Sequence, residues 1–311
     1  MKSFIITIWM LATATTAWSQ RRIVFTPQWI PQTQFAGYYV AKEMGFYKEE
    51  GLNVDIVPPS PTQSTLSRIR NKECQYSTMQ LCQAMQIADR EFPLVNILQT
   101  SMNNSTVIVA RRNESPLKLK GAKVAIWNDF GQMVQCMNMK EGLDYKWVVI
   151  NMSISLFLKG AVDAIIAESY NEYFQLKQAG MELTEKNVCR LSDCGYNVQD
   201  DGVYTTYEYY QNHKQEAQKF AKASRKGWEW AAEHPKETLD IVMKYVRENY
   251  VGTNRVIQQL MLEEVLRLQI DKQSGKREFR LRPDMVATAS MLLMECGLLD
   301  HEVKYEQLIP R

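Results

Sequence analysis

The stretch "RRIVFTPQWIPQTQFAGYYVAKEMGFYKEEGLNVDIVP", residues 21–58, holds one complete strand–helix–strand unit. Ile23, Val24 and Phe25 make a short apolar run bounded by the turn-forming Pro27 and Pro31, which predicts a strand. From Phe35 to Lys48 the apolar residues Tyr38, Tyr39, Ala41, Met44 and Phe46 fall on overlapping helical faces, and Gly51 ends the helix. "LNVDIVP" then alternates apolar and polar residues up to Pro58-Pro59, which predicts a second strand. Aromatic side chains crowd this unit, and they serve either as core or as a stacking surface for a flat ligand.

The alternation continues downstream. Helical "PTQSTLSRIRN" and "LCQAMQIADRE" are followed by the strands "LVNILQTS" and "TVIVARR". It restarts after Lys120-Gly121 with the strand "KVAIWN", a helix led by Asp129 as N-cap, the strand "KWVVINM", helical "ISLFLKGA", the strand "VDAIIAE" and the helix "NEYFQLKQAG" stopped by Gly180. Short connections between alternating strands and helices predict parallel sheets covered by helices. From Glu208 onward the pattern is helical, with Pro235 and Pro283 at helix starts, where a missing N–H costs nothing. Two α/β units and a helical tail make a bilobed chain, in which ligands sit where the C-terminal strand ends of both lobes face each other.

Bulk properties narrow the function. The opening "MKSFIITIWMLATATTAWSQ" has Lys2, an apolar run and small residues before Ser19, which predicts a signal peptide over residues 1–19 and a periplasmic mature chain. Its apolar run is too short for a bilayer span, which takes about 20 residues. With 37 basic against 35 acidic residues, the net charge of +2 gives no case for a nucleic-acid partner. Three scattered histidines leave no metal-ligand spacing and little for Ser-His-Asp or Cys-His catalysis. Among six cysteines, Cys189 and Cys194 are spaced to close a small loop. No phosphate-binding loop, nucleophile elbow or dinucleotide fingerprint occurs, so no catalytic residue is assigned.

The residues after the predicted strands are the candidate ligand site. They are Trp29, Gln32, Phe35 and Tyr38 after the first strand, and Gln80 before the helix "LCQAMQIADRE". Asn103 follows "LVNILQTS"; Asn128, Phe130 and Gly131 follow "KVAIW"; Tyr170, Asn171 and Glu172 follow "VDAIIAE". Aromatic planes beside amides and a carboxylate suit a flat, hydrogen-bonding heterocycle. Tyr39, Phe46 and Tyr47 are read as core, and Gly37 as a point of close approach by backbone or ligand.

The block "W-x-P-x-x-x-x-A-G-x-Y-x-A-K-E-x-G-F-Y-K-E-E-G-L-x-V" resembles periplasmic solute-binding proteins of the thiamine-pyrimidine-precursor type. These are grouped with alkanesulfonate, taurine and nitrate binding proteins and are related to the fungal thiamine pyrimidine synthase. "SPLKLKGAKVAIW", "FLKGAVDAIIAESYNEYFQLKQAG" and "FAKASRKGWEWAAEHPKETLDIV" match in the same order. The resemblance implies an α/β type II periplasmic binding protein fold: two α/β lobes with mixed, mostly parallel sheets joined by two crossovers. Lobe one would be residues 20–109 and 205–311, and lobe two 110–204. It further implies a pyrimidine stacked by Trp29 and held by Glu172. The protein would be a cofactor-free monomer that passes an aminopyrimidine-like ligand to an ABC transporter permease.

Two departures stand out. Phe35 occupies a position where many pyrimidine-precursor binders have His. In "NKECQYSTMQLCQAM", Thr78 stands where the synthase has its pyridoxal phosphate lysine, and Cys82 where it has a histidine; the synthase's Cys-rich cluster is absent. A periplasmic sensor subunit is one alternative, and a pyridoxal phosphate-linked, synthase-like enzyme another.

Overall fold

A computed structural model describes residues 21–128, 130–151 and 153–310. The predicted signal peptide and Asp129 lie outside them. The ten strands are β1 (Arg22–Thr26), β2 (Asn53–Ile56), β3 (Tyr76–Gln80), β4 (Leu94–Gln99), β5 (Thr106–Ala110), β6 (Lys123–Trp127), β7 (Lys146–Ile150), β8 (Ala164–Glu168), β9 (Val188–Arg190) and β10 (Asp201–Thr206). They form two five-stranded sheets in the orders β2-β1-β3-β10-β4 and β7-β6-β8-β5-β9.

In each sheet the first three strands are parallel, and the fourth runs antiparallel to both its neighbours. That fourth strand has just crossed from the other lobe. β5 enters the second sheet after residues 100–105, and β10 returns to the first sheet after the turn Leu191–Asp193 and the segment that follows it. The sheet changes therefore come a few residues before the expected boundaries at 109/110 and 204/205. The tail is also shared between the lobes. Helix Pro283–Glu295 packs on Gln132–Lys140 of the second lobe and Leu81–Arg90 of the first.

Strands β3, β9 and β10 have no counterpart in the sequence reading. β3 is buried along its whole length, so it lacks the alternation that marks a half-exposed strand. The helix expected from Phe35 to Lys48 is two helices, Ala36–Glu43 and Phe46–Glu49, divided at Gly45 with φ +78°. Gly131, with φ +93°, caps Gln132–Lys140, so that helix begins later than an Asp129 cap requires. Ser64 caps Thr65–Arg70 by accepting the Ser67 N–H at 3.1 Å. Cys189 and Cys194 do meet across their loop, with sulfurs 2.7 Å apart.

The first helix sits tightly on Lys214–Glu233 through two glycines. A methyl at Gly37 would lie 2.3 Å from the Trp228 ring, and one at Gly227 would lie 2.0 Å from the Gly37 carbonyl oxygen. The close approach expected at Gly37 is thus a helix–helix contact. It drives Trp228 into the core beside Tyr38, at 5.7 Å between ring centres. Tyr39, Phe46 and Tyr47 are buried in the same cluster, as read from the sequence.

Candidate functional site

The C-terminal ends of β1, β3, β6 and β8 converge on an interlobe chamber of about 40 Å³. Gln28, Trp29, Gln32, Gln34 and Gln80 line it from the first lobe, and Trp127, Phe130, Glu168, Tyr170, Asn171 and Glu172 from the second. Trp29 meets Trp127 edge-on at 6.2 Å and Phe130 at 6.3 Å between ring centres, so the lobes touch through aromatic edges. The chamber has room for about three waters. A substituted six-membered ring exceeds that, so the lobes must part at Trp29 to admit one. Trp29 also borders a polar groove of about 550 Å³ that runs past Gln175 and Asn254, and an apolar one of about 350 Å³ along Pro59, Leu66 and Met79.

The polar floor is built from amides and carboxyls. Gln28 Nε2 and Gln34 Nε2 donate to the two oxygens of Asp201 at 2.8 and 2.7 Å, and Gln32 Nε2 donates to Gln34 Oε1 at 2.6 Å. Asn171 Nδ2 donates to Glu172 Oε1 at 2.7 Å, and the Glu168 backbone N–H donates to Glu172 Oε2 at 2.8 Å. The Ser105 hydroxyl, on the first crossover, lies between Glu168 and Asp200 and contacts both carboxyls. Among the described residues, no lysine, arginine or histidine lines the chamber. Burial therefore raises the Glu172 and Asp200 carboxyls to about 7 and moves Glu168 and Asp201 up as well.

Of the twelve residues proposed from sequence, Trp29, Gln32, Gln80, Phe130, Tyr170, Asn171 and Glu172 line the chamber. Phe35 and Tyr38 do not: both are 1% exposed and belong to the first lobe's core. The backbone explains this, because the short turn Thr33–Phe35 rotates Phe35 under the helix. Thr33 fixes that turn with two hydrogen bonds of 2.7 Å to Gln258. Asn103 Nδ2 donates to the Leu268 and Ile270 carbonyls, which fastens the crossover to the helical tail. Asn128 borders an outer cavity with Gln83 and Gln132, and Gly131 packs behind the site against Ile126 and Ile166.

Sequence reasoning missed Gln28, Gln34, Trp127, Glu168, Asp200 and Asp201. Trp127 and Glu168 are the last residues of their strands, so searching only the following turns passes over them. Asp200 and Asp201 sit where β10 went unrecognised. Among the described residues, no group of three or more His, Cys, Asp or Glu is arranged to hold a metal ion, and no helix is long and apolar enough to cross a membrane.

The formylaminopyrimidine-binding protein of Halalkalibacterium halodurans is 27% identical over 261 residues, covering 78% of this chain and 75% of that protein. The ligand-binding component of an ABC-type import system from Staphylococcus aureus, solved with zinc bound, superposes with a TM-score of 0.67 at 10% identity. That match covers 94% of this chain and 97% of the other. The periplasmic aliphatic sulphonate binding protein SsuA of Escherichia coli superposes with a TM-score of 0.66 at 13% identity, over 94% and 93% of the two chains. These relatives are binding proteins, and the two-lobed α/β architecture is the periplasmic binding protein fold. The NMT1/THI5-like family model matches residues 32–238, more than half of the chain and most of both lobes, so this protein belongs to the NMT1/THI5-like family.

Proposed function

We propose that this protein captures a small amino-substituted heterocycle of the thiamine-pyrimidine-precursor kind outside the cytoplasm and delivers it to an ABC importer. The observation that carries the reading is the chamber itself: three aromatic rings close over a floor of buried carboxyls and amides with no cationic side chain. Trp29 supplies a face for stacking once the lobes part. Glu172, fixed by Asn171 and the Glu168 N–H, accepts a hydrogen bond from an exocyclic amine.

The protein is a carrier in this reading and not an enzyme. Thr78, at the position of the synthase lysine, accepts the Gln28 N–H at 2.8 Å, and burial pushes the Cys82 thiol above its usual range. Neither is placed as a nucleophile in the chamber. The lobe division follows the sheets, with closure about the two crossovers.

Thermal-shift screening of the mature protein against aminopyrimidines, alkanesulfonates, nitrate and amino acids tests the ligand class. Stabilisation by an aminopyrimidine, abolished in Trp29→Ala, is the expected result. A response to sulfonate or nitrate alone would overturn it. Co-purification of a permease on the loaded protein checks the delivery step.

A further inference from the structure

The Ser105 hydroxyl has one proton and two carboxyl neighbours. Asp200 Oδ2 accepts the Ser105 backbone N–H at 3.1 Å and lies 2.5 Å from Ser105 Oγ, so it is the natural acceptor of the hydroxyl proton. Glu168 Oε2 contacts the same Ser105 Oγ, and the hydroxyl has no second proton to give it. Both contacts are hydrogen bonds only when one of the two carboxyls itself donates, and the Ser105 N–H bond to Asp200 leaves that role to Glu168. Glu172 is arranged differently, since both its oxygens already accept N–H groups.

Glu168 is also the member of the trio that lines the ligand chamber. Each side-chain amide around it already spends one N–H. Gln28 and Gln34 hold Asp201, Gln32 holds Gln34, Asn171 holds Glu172, and Gln80 Nε2 reaches Glu168 Oε1 at 3.4 Å. The floor also leaves a buried acceptor open. Gln28, 8% exposed and lining the chamber, has its Oε1 without a hydrogen-bond partner. A ligand donor is the complement of that oxygen.

Resting on the proposed carrier function, we infer that Glu168 stores a proton in the empty protein and gives it to a ring nitrogen of the docking heterocycle. The ligand is then held as a cation against the Glu168 carboxylate. The balance is Glu–COOH plus neutral heterocycle giving Glu–COO⁻ plus protonated heterocycle, with no proton exchanged with solvent. Burial and the neighbouring carboxyls all favour the stored proton on Glu168. Burial raises it most, followed by Asp200, with Glu172 and Asp201 acting in the same sense and the Ser105 hydrogen bond opposing. Tyr170 shares this acidic environment, Cys82 and Tyr204 adjoin Asp200, and Tyr38 adjoins Asp201; burial raises all four above their ordinary values, so all four stay uncharged. Beyond Ser169, Glu264 is already paired with Arg267 at 2.6 Å. The same arithmetic disfavours anions, which would meet a negative floor without a cation, and so separates this chamber from a sulfonate site.

The test uses neutral 4-amino-2-methylpyrimidine as probe at pH 7.5. Infrared difference spectra of the native protein should show a protonated-carboxyl band before binding and lose it on binding. The bound probe should acquire the ultraviolet spectrum of its protonated form. Glu168→Gln should lack the band, leave any bound probe with its neutral spectrum and bind about tenfold more weakly or worse. Ser105→Ala, which removes the bridging hydroxyl and its hydrogen bond to the ionised carboxylate, should raise the pH at which the band is lost. A native protein without the carboxyl band, or one that binds the probe with its neutral spectrum, overturns the proton store and leaves the carrier function standing. If no aminopyrimidine binds, both readings fall.

Discussion

β1 and β6 hold the same place in their sheets, each flanked by two parallel neighbours, and each feeds a strand-to-helix turn that faces the cleft. The two turns do different work. The one after β1 is long, and its Gln28, Gln32 and Gln34 are locked to Asp201 and to one another before any ligand arrives. The one after β6 is short, is bounded by Gly131 with φ +93°, and offers Trp127 and Phe130 as a wall. One topology thus gives preorganised amides after β1 and an aromatic face after β6, so strand order places the site while the turn residues set its chemistry.

The sharpest way to break this comparison is at the aromatics of the first turn. Phe35 belongs to the core, so Phe35→Ala should cost about 3–5 kcal/mol of folding stability in denaturant titration. The folded fraction should keep its affinity. Trp29→Ala should do the reverse, with a small stability change and lost ligand binding. A weakened ligand affinity in a stably folded Phe35→Ala protein would mean that the turn's rear side reaches the ligand after all.

Gly227→Ala probes what holds the first turn in place. Its added methyl would strike the Gly37 carbonyl and come within 2.9 Å of Ala41 Cβ, neither of which can swing aside. A loss of about 3 kcal/mol is expected, visible as a fall in thermal midpoint. The second lobe's Gly142 and Gly180 have open space around them. Alanine there costs only what a left-handed backbone imposes, of order 1 kcal/mol. A Gly142→Ala protein as damaged as Gly227→Ala would remove the distinction.

How much of this was legible in sequence follows from the same contrast. The strand-helix rhythm, the bilobed split and the aromatics of both turns were readable because β1, β6 and β8 carry short apolar runs punctuated by Pro, Gly or Asn. β3 was not, because a central strand reading "YSTMQ" is buried on both faces and so lacks the polar–apolar alternation, while its last residue, Gln80, lines the chamber. β10 was not, because "DGVYTT" becomes a strand only when it pairs with β3 and β4, which are more than a hundred residues away in sequence. The missed carboxyls Asp200 and Asp201 open that strand. Phe35 was misplaced because spacing along a chain does not reveal the twist of the Thr33–Phe35 turn.

The second lobe's contribution can be sharpened by pH. Glu172, raised to about 7 by burial, binds its proton more tightly in the native than in the unfolded chain. Its burial penalty is absent below the ordinary value of 4.5, grows as pH rises, and is complete above 7. Stability should therefore fall between pH 5 and 7 by on the order of 3 kcal/mol from this group, and Asp200 acts in the same direction. Carboxylates held low by partners, such as Asp271 with the Ser274 N–H and then Arg282 beside it, lose their contribution only at more acid pH, so they do not mask the window. Glu172→Gln should flatten the slope; an unchanged slope would place the penalty elsewhere in the carboxyl cluster.

The smallest effect serves as the reference for the others. Ser64 caps a helix of the first lobe, and Ser64→Ala should cost about 1 kcal/mol through the lost bond to the Ser67 N–H. Its hydroxyl side borders only the apolar groove, not the chamber, so ligand affinity should stay the same within error. If it fell in step with stability, affinity would depend on the first lobe's overall firmness, and the loss in Trp29→Ala could not be assigned to stacking. If it held, Trp29→Ala would separate from a mere loosening of the fold, and the division between a rigid floor and an aromatic wall would rest on the chamber residues themselves.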